Sequence, residues 1–157
     1  HEKSHQIFAN RGVSGIDGNI ATVVGIAHAI KRPILAILGD QTFLHDLNSL
    51  ALLKKCPYPV LLLVVNNAGG AIFSFLPIAS KKELLDDYFA ATHDLTFQKA
   101  AELFQIPYLH LTTEKELFTA LSEKKSMIIE LQTDRKENFH FHQEIARRCS
   151  ISLQEVR

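Results

Sequence analysis

Asp40, Asn67 and Gly69 offer a carboxylate, a side-chain amide oxygen and a sterically open backbone carbonyl. Hard oxygen donors of this kind suit Mg²⁺ that keeps some coordination sites for phosphate. Asp40 sits in Gly39-Asp40-Gln41, directly after the apolar run Pro33–Leu38. Asn67 sits in Asn66-Asn67-Ala68-Gly69-Gly70, directly after the apolar run Val60–Val65. Runs of this length read as buried strands, and ligands of open parallel sheets bind beyond the carboxyl ends of strands. Gly39 lets backbone come close to a ligand, and a helix starting near Thr42 aims its free amides at the same place. Metal and helix end together would bind a diphosphate ester. Each motif also has a plainer use. Asp after Gly caps a following helix, and Asn-Asn-Gly-Gly makes a turn. Their pairing at two strand ends, with one helix between, is the more specific signal.

The elements needed to position these residues are legible along the chain. Gln6–Ala9 is a short strand candidate, followed by the glycine-rich stretch Arg11–Gly18 and a helix over Asn19–Ile30 with Asp17 as its N-cap. Thr42–Lys55 reads as a helix, with Phe43, Leu44, Leu47, Leu50 and Ala51 on its inner side. A looser region, Ala71–Asp94, precedes a helix over Phe97–Phe104 and a strand over Tyr108–Leu111. Thr113 and Glu116 form a capping box for a helix running to about Lys124. Met127–Leu131 is a further strand, and a polar, partly helical tail follows. Strands apolar on both faces that alternate with helices predict an α/β fold: one parallel sheet covered by helices on both faces. All seven glycines precede residue 71, which places the chemistry in the first half and scaffold in the second.

Composition excludes several classes. A length of 157 residues suits one domain with a real core. Lys plus Arg and Asp plus Glu are 17 each, so there is no basic excess for nucleic acid or an anionic membrane. The longest purely apolar stretch, Pro59–Val65, is too short to span a bilayer. Cys56 and Cys149 form no CxxC pair, so a reducing cytoplasm is the expected compartment. Eight histidines group tightly only at His140 and His142, within a polar tail. Residue 1 is His, which suggests a piece of something larger.

Gly39-Asp40-Gln41, twenty-four intervening residues, then Asn66-Asn67 resembles the thiamine-diphosphate fingerprint, in which the third position is usually Gly. Asn10–Gly18 (NRGVSGIDG), His45–Leu50 (HDLNSL) and Val65–Pro77 (VNNAGGAIFSFLP) narrow the resemblance to one family. It is that of the 2-succinyl-5-enolpyruvyl-6-hydroxy-3-cyclohexene-1-carboxylate (SEPHCHC) synthases of menaquinone biosynthesis, the MenD family. Arg135–Asn138, with His142 after it, is similar to that family's closing segment.

The resemblance implies that residues 1–157 are the C-terminal pyrophosphate-binding domain of a three-domain enzyme, without its first elements. Asp40, Asn67 and the Gly69 carbonyl would ligate Mg²⁺ or Mn²⁺. Gly39, Gln41, Thr42 and Asn66 would meet the cofactor's diphosphate side. Ile16 would hold thiamine diphosphate in its bent conformer, with Ser14 and Gly15 at the aminopyrimidine. Arg11 would meet a substrate carboxylate, and Ile72, Phe73 and Leu76 would form an apolar wall beside isochorismate. The intact enzyme would decarboxylate 2-oxoglutarate and add the succinyl unit to isochorismate, as a dimer or tetramer with shared sites. No catalytic residue is expected in this chain, because the family's glutamate belongs to the missing pyrimidine domain. The alternatives are another thiamine-diphosphate decarboxylase or acetolactate-synthase-like enzyme, and a non-catalytic α/β metal-binding module. Arg11, Ile72, Phe73 and the His45–Leu50 segment argue against the first.

Overall fold

The computed structural model describes residues 6–10 and 15–155, with side chains to residue 151. Four parallel strands form its sheet: β1 (Ile34–Gly39), β2 (Val60–Asn66), β3 (Tyr108–His110) and β4 (Met127–Gln132), in the order β1-β2-β4-β3. Parallel neighbours need long crossovers, and helices supply them. The helices are α1 (Asn19–Ile30), which precedes β1, α2 (Asp40–His45), α3 (Leu50–Lys55), the short α4 (Lys82–Leu84), α5 (Gln98–Phe104) and α6 (Glu114–Leu121), which lie between strands, and the 21-residue α7 (Arg135–Glu155), which follows β4.

Strand alternation divides the core between the two faces. On one face Val60, Leu62, Val64 and Ile128 pack with Ile20 and Val24 of α1, Leu50 and Leu53 of α3, and Ala101 of α5. Phe43 and Phe97 meet there at 4.6 Å between ring centroids. On the other face Leu61, Met127 and Ile129 pack against Ala120 and Leu117 of α6. Helices therefore lie on both faces, as the continuously apolar strands predict. Coverage ends at the edge strand β1, where Ile37 is 66% exposed.

Three expectations need correction. Gln6–Ala9 forms no strand; Ile7 and Phe8 are exposed, and no ladder partner reaches them among the described residues. Asp17 does not cap α1. Gly18 takes the N-cap position in the left-handed conformation (φ 69°), with no side-chain cap of its own. The free amides of Ile20 and Ala21 donate instead to Asp46 Oδ2, at 2.6 and 3.0 Å. The helix expected over Thr42–Lys55 begins earlier, at Asp40, and is interrupted after His45 by a 3₁₀ turn, Leu47–Ser49. The interruption and the distant cap have one cause: Asp46 turns inward, its carboxylate taking both α1 amides and the Ser49 hydroxyl. No helix among the described residues is long and apolar enough to cross a membrane.

Candidate metal–diphosphate site

The sheet register brings the two motifs together. Gly39 pairs with Val65, the last pair of the β1–β2 ladder, so Asp40 and Asn66 stand next to each other at the end of that ladder. Asp40 is 2% exposed and opens α2. Its Oδ1 accepts the Gln41 amide at 2.6 Å; its Oδ2 accepts the amides of Gly69 at 2.8 Å and Asn67 at 3.2 Å. One carboxylate thereby shapes the whole turn that follows β2.

That turn requires glycine at one point. Gly69 has φ 140°, and a Cβ there would lie 2.6 Å from the Ala90 carbonyl oxygen. No side chain can be placed without moving backbone. The Gly69 carbonyl oxygen accepts from Ala71 N at 2.9 Å and keeps a second lone pair.

Asn67 supplies the most informative atom. Its Oδ1 is buried and has no hydrogen-bond partner. Buried acceptors are rarely left unpaired, because the lost hydration costs about 1–3 kcal/mol. An unpaired acceptor oxygen on a turn that also holds a carboxylate and a glycine carbonyl fits a hard divalent cation. A Cβ at Gly39 would project into open space, so the backbone beside Asp40 is clear for a ligand. Among the described residues no three His, Cys, Asp or Glu side chains converge on a common point. The donor set here is of another kind, with one carboxylate, one amide and one carbonyl.

Other candidates are placed less simply. Arg11 and Ser14 lie outside the described residues. Gly15 and Ile16 precede α1, and Ile16 is 41% exposed, with its carbonyl held by Asn19 Nδ2 at 3.0 Å. Thr42 is half-buried in the first turn of α2. Gln41 does not point its side chain to open space: Nε2 donates to the Ala91 carbonyl at 2.9 Å. The Asn66 amide is used internally, donating to Leu95 O and Glu130 Oε1 and accepting from Ala68 N. Ile72, Phe73 and Leu76 do not share one face. Ile72 and Leu76 are exposed, whereas the Phe73 ring turns back onto Phe89 at 5.8 Å.

Sequence reasoning missed Glu130 beneath the site. It is fully buried and accepts from Asn66 Nδ2 (2.7 Å), Phe97 N (2.8 Å) and Tyr108 OH (2.7 Å). Within the apolar run Met127–Leu131 a lone Glu gives no motif to find. Burial first, and then the bond to the Glu130 carboxylate, raise the Tyr108 phenol above its ordinary 10.0. The folded chain therefore holds this proton where the unfolded chain releases it. The resulting stability is complete below pH 10 and is lost as pH rises beyond it. Denaturation of wild type and Tyr108→Phe across the alkaline range should show the stability gap between them narrowing above that pH. A gap independent of pH would mean that the phenol titrates normally.

A family profile described as the C-terminal TPP binding domain of thiamine pyrophosphate enzymes matches residues 1–131. Among curated relatives, the SEPHCHC synthase of Chlorobaculum tepidum is 43% identical over 152 residues, spanning 94% of this chain and 26% of its own. That of Rubrobacter xylanophilus is 44% identical, spanning 90% and 25%. The chain thus spans about a quarter of the length of these relatives. A crystal structure of benzoylformate decarboxylase from Polynucleobacter necessarius superposes with a TM-score of 0.66 at 19% identity, covering 78% of this chain and 24% of that one. At that identity the likeness speaks for the fold alone. The match takes in β1 to β3, β4 up to Leu131 and both strand-end motifs, and the chain belongs to the C-terminal TPP binding domain family of thiamine pyrophosphate enzymes.

Proposed function

We propose that this chain is the pyrophosphate-binding domain of a SEPHCHC synthase with three domains. In this reading Asp40, Asn67 Oδ1 and the Gly69 carbonyl hold Mg²⁺ or Mn²⁺, and the cation carries the diphosphate of thiamine diphosphate. The observation that carries it is the buried, unpartnered Asn67 Oδ1, on the residue whose backbone N–H donates to the Asp40 carboxylate. Identity above 40% to several synthases bearing one name supports the assignment to this activity.

Each residue has a physical task. Asp40 neutralises part of the cation's charge while fixing the turn that presents the Asn67 and Gly69 oxygens. Gly39 keeps the approach to the diphosphate clear, and the first-turn amide of Thr42 offers it a donor. Ile16, in the loop tied down by Asn19, supplies the apolar surface that bends the cofactor, with Gly15 and Ser14 beside its pyrimidine. Arg11 is the planar cation for a substrate carboxylate, and the Ile72–Leu76 segment borders the isochorismate side. When bound, thiamine diphosphate supplies the electron sink for loss of CO₂ from 2-oxoglutarate and transfer of the succinyl unit to isochorismate. The glutamate needed to activate it belongs to another domain, so the site is completed within a homo-oligomer, in the cytoplasm.

Two measurements test the proposal. The intact protein should form product from 2-oxoglutarate and isochorismate only with thiamine diphosphate and a divalent cation. The 157-residue chain alone should form none. Turnover of pyruvate in place of 2-oxoglutarate would favour an acetolactate-synthase-like enzyme. Product from the isolated chain would place the catalytic glutamate wrongly.

A further inference from the structure

His93 lies in the segment between the π turn Leu85–Phe89 and α5, in sequence without periodicity or motif. The segment is fastened onto the metal turn at several points. Gly70 N donates to the Ala90 carbonyl at 2.5 Å, and His93 N approaches the Ala68 carbonyl at 3.4 Å. Gln41 Nε2 donates to the Ala91 carbonyl, where the backbone takes a left-handed conformation (φ 45°). Gln41 is the residue that departs from the generic fingerprint, and its side chain is spent on holding this strap.

The strap delivers an imidazole to the back of Asp40. The His93 side chain is 10% exposed, and its Nε2 lies 3.4 Å from Asp40 Oδ2. The Leu95 amide donates to His93 Nδ1 at 3.1 Å, so Nδ1 is the acceptor and the ring proton sits on Nε2. That Nε2 is buried and makes no hydrogen bond, so its 3.4 Å approach to Asp40 Oδ2 is an electrostatic contact. A buried N–H without an acceptor is costly, and the nearest acceptor is the Asp40 carboxylate. Oδ2 already takes the amides of Gly69 and Asn67, whereas Oδ1 takes only that of Gln41. Both Oδ2 lone pairs are thus engaged, and the imidazole N–H adds a charge–dipole attraction to that oxygen, while Oδ1 keeps a free lone pair.

We infer that His93 is a positioning residue of the metal centre: its Nε2–H holds Asp40 Oδ2, so that Oδ1 is the oxygen presented to the cation. Gln41 secures the backbone that carries it. Outer partners of metal-ligating groups commonly set ligand orientation and metal affinity. The inference rests on Asp40 being a metal ligand, and the test must separate the two.

The test is calorimetric titration of Mg²⁺ into the intact enzyme at saturating thiamine diphosphate. Wild type, His93→Phe, His93→Gln and Asp40→Ala are compared, with circular dichroism and thermal melting on each. Phenylalanine keeps a ring against Phe97, 6.3 Å away between centroids, and removes the donor. Glutamine places an amide N–H near the position of Nε2. His93→Phe should weaken Mg²⁺ binding by about 10–100-fold, the usual effect of removing an outer partner. His93→Gln should recover most of that loss, even if its melting temperature falls as far as that of the phenylalanine variant. Wild-type affinity in His93→Phe, or equal weakness in both His93 variants, overturns the role given to Nε2–H. If only Asp40→Ala loses the metal, the His93 inference alone fails. If Asp40→Ala binds Mg²⁺ like wild type, the ligand assignment fails and takes the inference with it.

Discussion

Asp40→Ala in the intact enzyme should abolish cation-dependent binding of thiamine diphosphate, and product formation with it. Two losses add. The proposed cation would lose its carboxylate ligand, and the backbone amides of Asn67 and Gly69 lose their shared acceptor, Oδ2. The second loss frees the turn that presents Asn67 Oδ1 and the Gly69 carbonyl. Removing even an outer partner of a metal ligand costs about 10–100-fold in affinity, so losing a ligand that also orders its neighbours should exceed about 100-fold. Asp40→Asn should fall between. It keeps an acceptor for part of the turn but lacks the charge. Calorimetry of the cofactor with and without Mg²⁺ reads both. Undiminished binding in Asp40→Ala would remove this carboxylate from the site.

Glu130→Leu should be the most destabilising single change beneath the site, by about 3 kcal/mol, from buried donors left unpaired at about 1–3 kcal/mol each. Leucine fits the apolar surroundings of β4 but strands Phe97 N and one proton of the Asn66 amide; the half-buried Tyr108 hydroxyl can turn to water. No cation pairs with Glu130 among the described residues, so the side chain is held by hydrogen bonds alone. Glu130→Gln is also predicted to destabilise, though less. Whichever way its amide is placed, one N–H faces another donor, Asn66 Nδ2 or Phe97 N. Urea denaturation of the 157-residue chain measures both variants. Equal or greater stability in the leucine variant would mean that desolvating the carboxylate outweighs its bonds. Because Glu130 anchors Asn66, the leucine variant should also bind cofactor more weakly in the intact enzyme.

The parts of this molecule that can be read from sequence are those whose cause is local. Val60–Val65 is apolar along its whole length, Met127–Leu131 is apolar but for Glu130, and the capping box at Thr113 and Glu116 forms as its residues dictate. The strand-end position of Asp40 and Asn67 follows from the same local signals. What escapes a local reading depends on partners far along the chain. The helix after Asp40 breaks because Asp46 is drawn to the amides of α1, 26 residues earlier. Gln6–Ala9 has strand composition but no neighbour to pair with among the described residues. Asn66 reads as a site residue by its motif, yet its amide reaches Glu130, 64 residues onward. His93 and Gln41 meet the site only through the strap that the tertiary fold lays across Gly69 and Gly70.

Anomalous diffraction would locate the metal itself. Crystals of the intact enzyme with thiamine diphosphate and Mn²⁺ should show one anomalous peak at about 2.0–2.2 Å from an Asp40 carboxylate oxygen, Asn67 Oδ1 and the Gly69 carbonyl, the range for a small hard cation. A peak elsewhere, or one beside Asp40 with the Asn67 amide turned away, would contradict the ligand assignment.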